Sequence, residues 1–150
     1  MKKMVSFFIL VIFLSHCKNN YEFSEVKNIN NTWLKKDTLN FNIKIKNPQE
    51  KKNINFIVRN NNEYPYMNIY FFVQIKKGDT IIQKMDTVNY NLADVSGKWL
   101  GKGMGEVKEI YYRYKENISF PKEGDYTISI VQGMRKDTLV GIEDFGVSIE

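Results

Sequence analysis

The chain has 150 residues, 22 Lys and Arg against 17 Asp and Glu for a formal charge of +5, and a single histidine and cysteine. That length supports one domain with one core. The histidine is His16 and the cysteine Cys17, so the sequence beyond them excludes Ser-His-Asp and Cys-His nucleophiles and zinc sites built on imidazole or thiolate; the positive excess is scattered, with no basic stripe to track a nucleic-acid backbone, so no nucleic-acid partner is expected.

Lys2 and Lys3 precede a nearly apolar run, "MVSFFILVIFL", from Met4 to Leu14. The run suits a signal-peptide core and is too short to cross a bilayer as a helix. "LSHC", Leu14 to Cys17, resembles a lipobox, in which the cysteine thiol takes a diacylglycerol and the chain is cut just before it. His16 departs from that pattern, which usually has a small residue there. Residues 1–16 are therefore read as a signal peptide and Cys17 as a lipid anchor. The mature chain would keep 134 residues and a charge of +3. Two acyl chains plus an amide-linked third would hold it firmly, where one chain alone is marginal. With Cys17 acylated no disulfide remains, and packing and hydrogen bonds must hold the fold. Residues 17–32 are Asn-rich and polar, and are read as the lipidated cysteine and a tether. The folded domain is placed at 33–150.

From there the period is that of strands. "LNFNIKI", Leu39 to Ile45, alternates apolar and polar at every step. "NINFIVRN" follows the break at "NPQEKK". "MNIYFFVQIKK" has a denser apolar centre, Ile69 to Val73, which predicts a strand covered on both faces. "KGDT" is a turn, and "TIIQKMDTVNYNL", "IYYRYKENISF", "DYTISIVQ" and "EDFGVSIE" continue the series. No stretch keeps a 3.6-residue apolar period for three turns. Alanine, the best helix former, occurs once, at Ala93, while β-branched and aromatic residues abound. Seven to nine short strands predict an all-β antiparallel β-sandwich, with a jelly-roll arrangement as its specific form.

The loop "GKWLGKGMGEVKE", Gly97 to Glu109, is the chain's most conspicuous stretch. It fails as a Walker A loop, because Lys102 or Glu106 falls where the second glycine belongs and no Ser or Thr follows. It fails as a dinucleotide fingerprint, because Glu106 holds the third glycine position and no helix follows. Two readings stay open. Trp99 caps the core, its indole N–H bonded to a loop carbonyl. Or Lys98, Trp99 and Lys102 form an exposed site for a partner or glycan. In "NNNEYPYMN" an aromatic–proline–aromatic bend is expected around Pro65, with a cis peptide as one form. Tyr64 and Tyr66 are candidate glycan contacts there. "YYRYKE" sets Tyr112 and Tyr114 on one face and Tyr111 and Arg113 on the other. Arg135 is a candidate partner for Glu143 or Asp144. Asp37, Asp79, Asp86, Asp125 and Asp137 are read as turn and strand-end acids rather than a catalytic pair.

"YPYMNIYFFV", the long segment from Leu92 to Arg135, and "GIEDFGVSIE" resemble the GldH family of gliding-motility lipoproteins from Bacteroidota. The resemblance covers nearly the whole chain in order, including signal and cysteine; Tyr21 to Lys52 carries little of it beyond Trp33. It implies a cell-envelope lipoprotein working with other gliding lipoproteins and the associated type IX secretion machinery. It implies no enzymatic activity, no cofactor and no catalytic residue, and only Cys17 carries over, as the anchor. The absence of an acidic cluster after Cys17 points to outer-membrane attachment facing the periplasm. In such bacteria Asp-Thr-aliphatic triplets resemble an O-glycosylation acceptor pattern, which makes Thr38, Thr80, Thr87 and Thr138 candidate acceptors. A scaffold is the first functional expectation. The alternative is a carbohydrate-binding module contacting peptidoglycan or surface polysaccharide.

Overall fold

The computed structural model describes residues 21–150. The signal peptide and Cys17 lie outside the described residues. Ten strands follow one another: β1 (Phe23–Asn28), β2 (Thr32–Leu34), β3 (Leu39–Ile45), β4 (Lys52–Asn60), β5 (Asn68–Lys77), β6 (Thr80–Asn91), β7 (Lys108–Ile118), β8 (Gly124–Gln132), β9 (Thr138–Val140) and β10 (Ile142–Ile149). One sheet runs β1-β10-β4-β7, the other β3-β8-β5-β6, and β2 and β9 form a short ribbon. All pairings are antiparallel.

The order has a simple origin. β5 pairs β6 around the turn Gly78–Asp79, and outward from that turn β4 pairs β7, β3 pairs β8, β2 pairs β9 and β1 pairs β10. The chain is one long nested hairpin. It folds over on itself where β10 meets β4 and β8 meets β5. A folded hairpin of this kind is a jelly roll, so the expected sandwich takes that form.

Alternation decides what is buried. β3 turns Phe41, Ile43 and Ile45 inward and Asn40, Asn42 and Lys44 outward. β8 does the same with Tyr126, Ile128 and Ile130. At the centre Phe145 lies 4.9 Å from Phe71, 5.3 Å from Phe56 and 5.7 Å from Trp33, ring to ring. Trp33 is fully enclosed, and its indole N–H donates to the Asp37 carbonyl at 3.0 Å. Gly141, with φ of 86°, sits where a Cβ would collide with the Tyr64 backbone. Only glycine fits there.

Three expectations need correction. The tether is shorter than residues 17–32, because Phe23–Asn28 is a full edge strand, in register with β10 from Phe23↔Ile149 to Asn28↔Asp144. β5 is covered on one face only; its other face leaves Tyr70 exposed and Phe72 half-buried. Asp86 lies inside β6, not at a turn. There it takes Lys115 of β7 at 3.0 Å and the Tyr114 hydroxyl at 3.2 Å, bonding the two sheets along one edge of the sandwich. Desolvation pushes the Asp86 carboxyl up, but these bonds and the Lys115 charge outweigh it and hold the carboxyl below its usual range.

Candidate functional site

The sandwich has two ends of different character. β4 begins at Lys52, whose ammonium lies 2.5 Å from Glu22 at the start of the described chain and 3.1 Å from Glu50. Its last residue, Asn60, leads into the loop that holds Asn62. Asn62 Oδ1 accepts the Trp99 indole N–H at 3.1 Å. Nine strand residues at ~3.3 Å each set these points roughly 30 Å apart. The Trp99 loop therefore stands at the end opposite the N-terminal approach.

That loop is built rather than loose. Asp94 Oδ1 accepts Ser96 N–H at 2.8 Å, Ser96 Oγ at 2.6 Å and Lys98 N–H at 3.1 Å. The Ser96 hydroxyl and the two amides hold the Asp94 carboxyl below its usual range. Leu100 N–H donates to Leu92 O at 2.8 Å, and Lys102 and Glu109 exchange backbone bonds at 2.8 Å. Lys108 Nζ donates to Gly103 O at 3.0 Å and Gly105 O at 2.7 Å. A Cβ on Gly103 would lie 2.5 Å from the Val107 carbonyl, which is why the turn needs glycine there. Four hydrogen-bonded clamps order a loop that leaves Val95, Leu100 and Met104 exposed.

Trp99 lies between the two arrangements expected of it. The ring is half-buried against Tyr64, at 6.4 Å between centroids, and its N–H meets a side-chain amide rather than a backbone carbonyl. Lys98 and Lys102 are exposed. Around them stand residues the sequence reading passed over: Val95 and Met104 at 99% exposure, Leu100 at 47% and Met67 at 52%. Such side chains look like ordinary loop residues in sequence, and only their convergence at one end makes a surface.

Tyr64 is not the surface contact expected. It is 3% exposed and donates to Asn68 O at 2.7 Å, capping the core. Burial and the nearby Tyr66 and Tyr112 hydroxyls push its ionisation far above the ordinary tyrosine range. Tyr66 meets it edge to face at 5.7 Å and stays half-exposed. Pro65 follows a trans peptide, since residues 21–150 contain no cis bond. Arg135 pairs with neither Glu143 nor Asp144: Glu143 Oε1 accepts Asn61 at 2.6 Å, and Asp144 takes Arg59 at 3.4 Å. Tyr112 and Tyr114 do face inward, while Tyr111 and Arg113 are exposed. Thr38, Thr80, Thr87 and Thr138 are all exposed. Among the described residues no three His, Cys, Asp or Glu side chains converge on a metal-sized space.

The family described as "GldH lipoprotein" matches residues 21–149. The chain is 35% identical to the "Gliding motility lipoprotein GldH homolog" of Christiangramia forsetii, over 96% of this chain and 92% of the relative. It is 30% identical to the "Gliding motility lipoprotein GldH" of Flavobacterium johnsoniae, over 95% of this chain and 92% of that one. Among solved structures, the CBM36-1 domain of a multidomain xylanase from the hindgut metagenome of Trinervitermes trinervoides superposes with a TM-score of 0.40 at 15% identity. That likeness covers 85% of this chain and 87% of the other, and at such a score it says nothing of function.

Proposed function

The chain belongs to the GldH lipoprotein family, and from that premise we propose that it is a lipid-anchored envelope protein of the gliding apparatus, serving as a non-enzymatic scaffold. Cys17 is the anchor, in the outer membrane and facing the periplasm. The partners are other gliding lipoproteins and components of the type IX secretion machinery. They dock on the Trp99 end of the sandwich.

The observation that carries this reading is the pairing of order with exposure at that end. Val95, Met104, Leu100 and Met67 hold apolar surface in water, on a loop whose backbone is pinned by Asp94 and Lys108. A pre-ordered apolar patch with an aromatic and flanking lysines is what a protein hot spot needs, because little is lost in ordering it on binding. It lies at the end of the sandwich opposite Glu22, so an anchor on Cys17 would leave it clear of the membrane.

A crosslinked membrane pull-down tests it, using the native protein beside Trp99→Ala and Met104→Asp. The scaffold reading expects gliding lipoproteins or secretion components with the wild type, and a loss of several-fold or more with both variants. Met104 touches nothing it could unfold, so its variant separates docking from stability. Equal recovery of the same partners with all three proteins would place docking elsewhere and leave the loop a structural cap.

A further inference from the structure

A second surface lies on the open face of β5. A cleft of about 500 Å³ separates the start of that strand from the loop Gly133–Lys136, and is lined by Tyr66, Tyr70, Met134, Arg135 and Lys136. We propose that this cleft binds an acidic saccharide, with Tyr66 and Tyr70 against sugar faces and Arg135 and Lys136 on its carboxylate or sulfate.

The wall is fixed before any ligand arrives. Gln132, fully buried, accepts Met134 N–H at 2.8 Å through Oε1 and donates to Lys136 O at 2.9 Å through Nε2. One amide thus clamps both ends of the loop that presents Arg135. Gly133 N–H donates to Tyr70 O at 2.6 Å, and a Cβ on Gly133 would press on Tyr70 at 3.1 to 3.2 Å. Tyr70 N–H in turn points at Met134 Sδ, 3.4 Å away. Loop and strand are locked together, so the backbone positions that carry the aromatic and the cations are fixed relative to one another.

The chemistry of the lining selects the ligand class. Arg135 and Lys136 are exposed, and neither forms an ion pair among the described residues. Two free cations beside two rings suit an anion carried on a ring-shaped, partly apolar body. Along β5 the face is uncharged from Tyr70 to Gln74; charge returns only further off, at Lys76 on the same strand and at Lys44 and Asp125 on β3 and β8. Tyr70 stands opposite Asn89, Phe72 opposite Thr87 and Val131, and Gln74 opposite Ser129. Amides and hydroxyls beside aromatic rings match the hydroxyl-rich edges and apolar faces of further sugar units. The outer face of the other sheet is unlike this: Arg59 bridges Glu109 and Asp144, and Arg113 pairs with Glu150. Two cations are too few for a nucleic-acid backbone.

The test is affinity electrophoresis of the full-length protein in detergent through gels containing polygalacturonate, alginate or heparin. Neutral dextran and polyglutamate, an acidic polymer without sugar rings, serve as controls. At least one acidic polysaccharide should retard the protein, and neither control should. Tyr70→Ala should weaken that retardation about tenfold or more, the cost of truncating an anchoring aromatic. Arg135→Ala, on an exposed loop position, should lower it and reduce its sensitivity to salt, since Lys136 remains. Circular dichroism of both variants confirms that they fold. Retardation by polyglutamate equal to that by the sugars, indifference to Arg135→Ala, or no retardation by any of the three polysaccharides would overturn the proposal.

Discussion

Tyr90 and Tyr112 lie ring on ring at 4.2 Å, and Tyr114 stacks on Phe56 at 4.5 Å. Tyr112 donates to Asn91 O at 2.6 Å, and Tyr114 to Asp86 at 3.2 Å. Burial disfavours the phenolate at each of them, and pushes the Tyr90 ionisation up to about 12. Their protons stay on in the folded chain at pH values where an unfolded tyrosine, with a pKa of about 10, has lost its own. The stability they contribute is whole below pH 10 and is lost as pH climbs towards 12. Lys52 works in the same direction. Desolvation lowers its pKa, but the bonds and charges of Glu22 and Glu50 together outweigh it, and its ammonium persists to higher pH when folded. Urea midpoints measured from pH 8 to 11.5 should stay level and then fall above pH 10. A Tyr90→Phe variant, with no proton to lose at that position, should fall less steeply over the same interval. A midpoint that stays flat to pH 11.5 would contradict the burial of these hydroxyls.

Strands declared themselves in sequence to the extent that their inward faces were apolar. β3 and β8 alternate cleanly because Phe41, Ile43, Tyr126 and Ile128 all meet the core. β1 gave no such sign. Its inward positions are Phe23, Glu25 and Lys27, so two of three are charged, and its strand state comes from hydrogen bonding to β10 rather than from burial. β2 and β9 are three residues each, too short for any period to show. The aromatic centre of β5 misled in the other direction, since Tyr70 and Phe72 looked like core and face outward. At the site, Trp99 stood out by its type, whereas Tyr70, Gln132 and Arg135 come from separate strands and loops that only pairing unites. Deleting residues 21–28 tests the place of β1. A mere tether would leave stability unchanged. The edge strand seen here would expose the length of β10, so the truncated domain should lose several kcal/mol or aggregate, as judged by denaturant unfolding and light scattering.

At the scale of the whole molecule, four exposed Asp-Thr positions are spread over the surface: Thr80 beside the β5–β6 turn, Thr38 and Thr138 towards the Trp99 end, and Thr87 on the open face opposite Phe72. If these triplets are acceptors, the intact mass of protein purified from its own envelope should exceed polypeptide plus lipid by whole sugar units; a mass equal to polypeptide plus lipid would end that reading. The nested hairpin has a further consequence, one of timing. A chain made from its N-terminus presents β1 before the other strands of the domain, yet the partner of Phe23 is Ile149, in the domain's last strand. Until then β1 has no hydrogen-bonded partner and the outermost pairing stays open. The chain upstream of residue 21 is therefore attached to an unpaired segment until β10 has been made. If Cys17 is the anchor, an enzyme that acylates or cuts there works beside a domain whose outermost pairing has yet to close, and the domain seals only after its own last strand arrives.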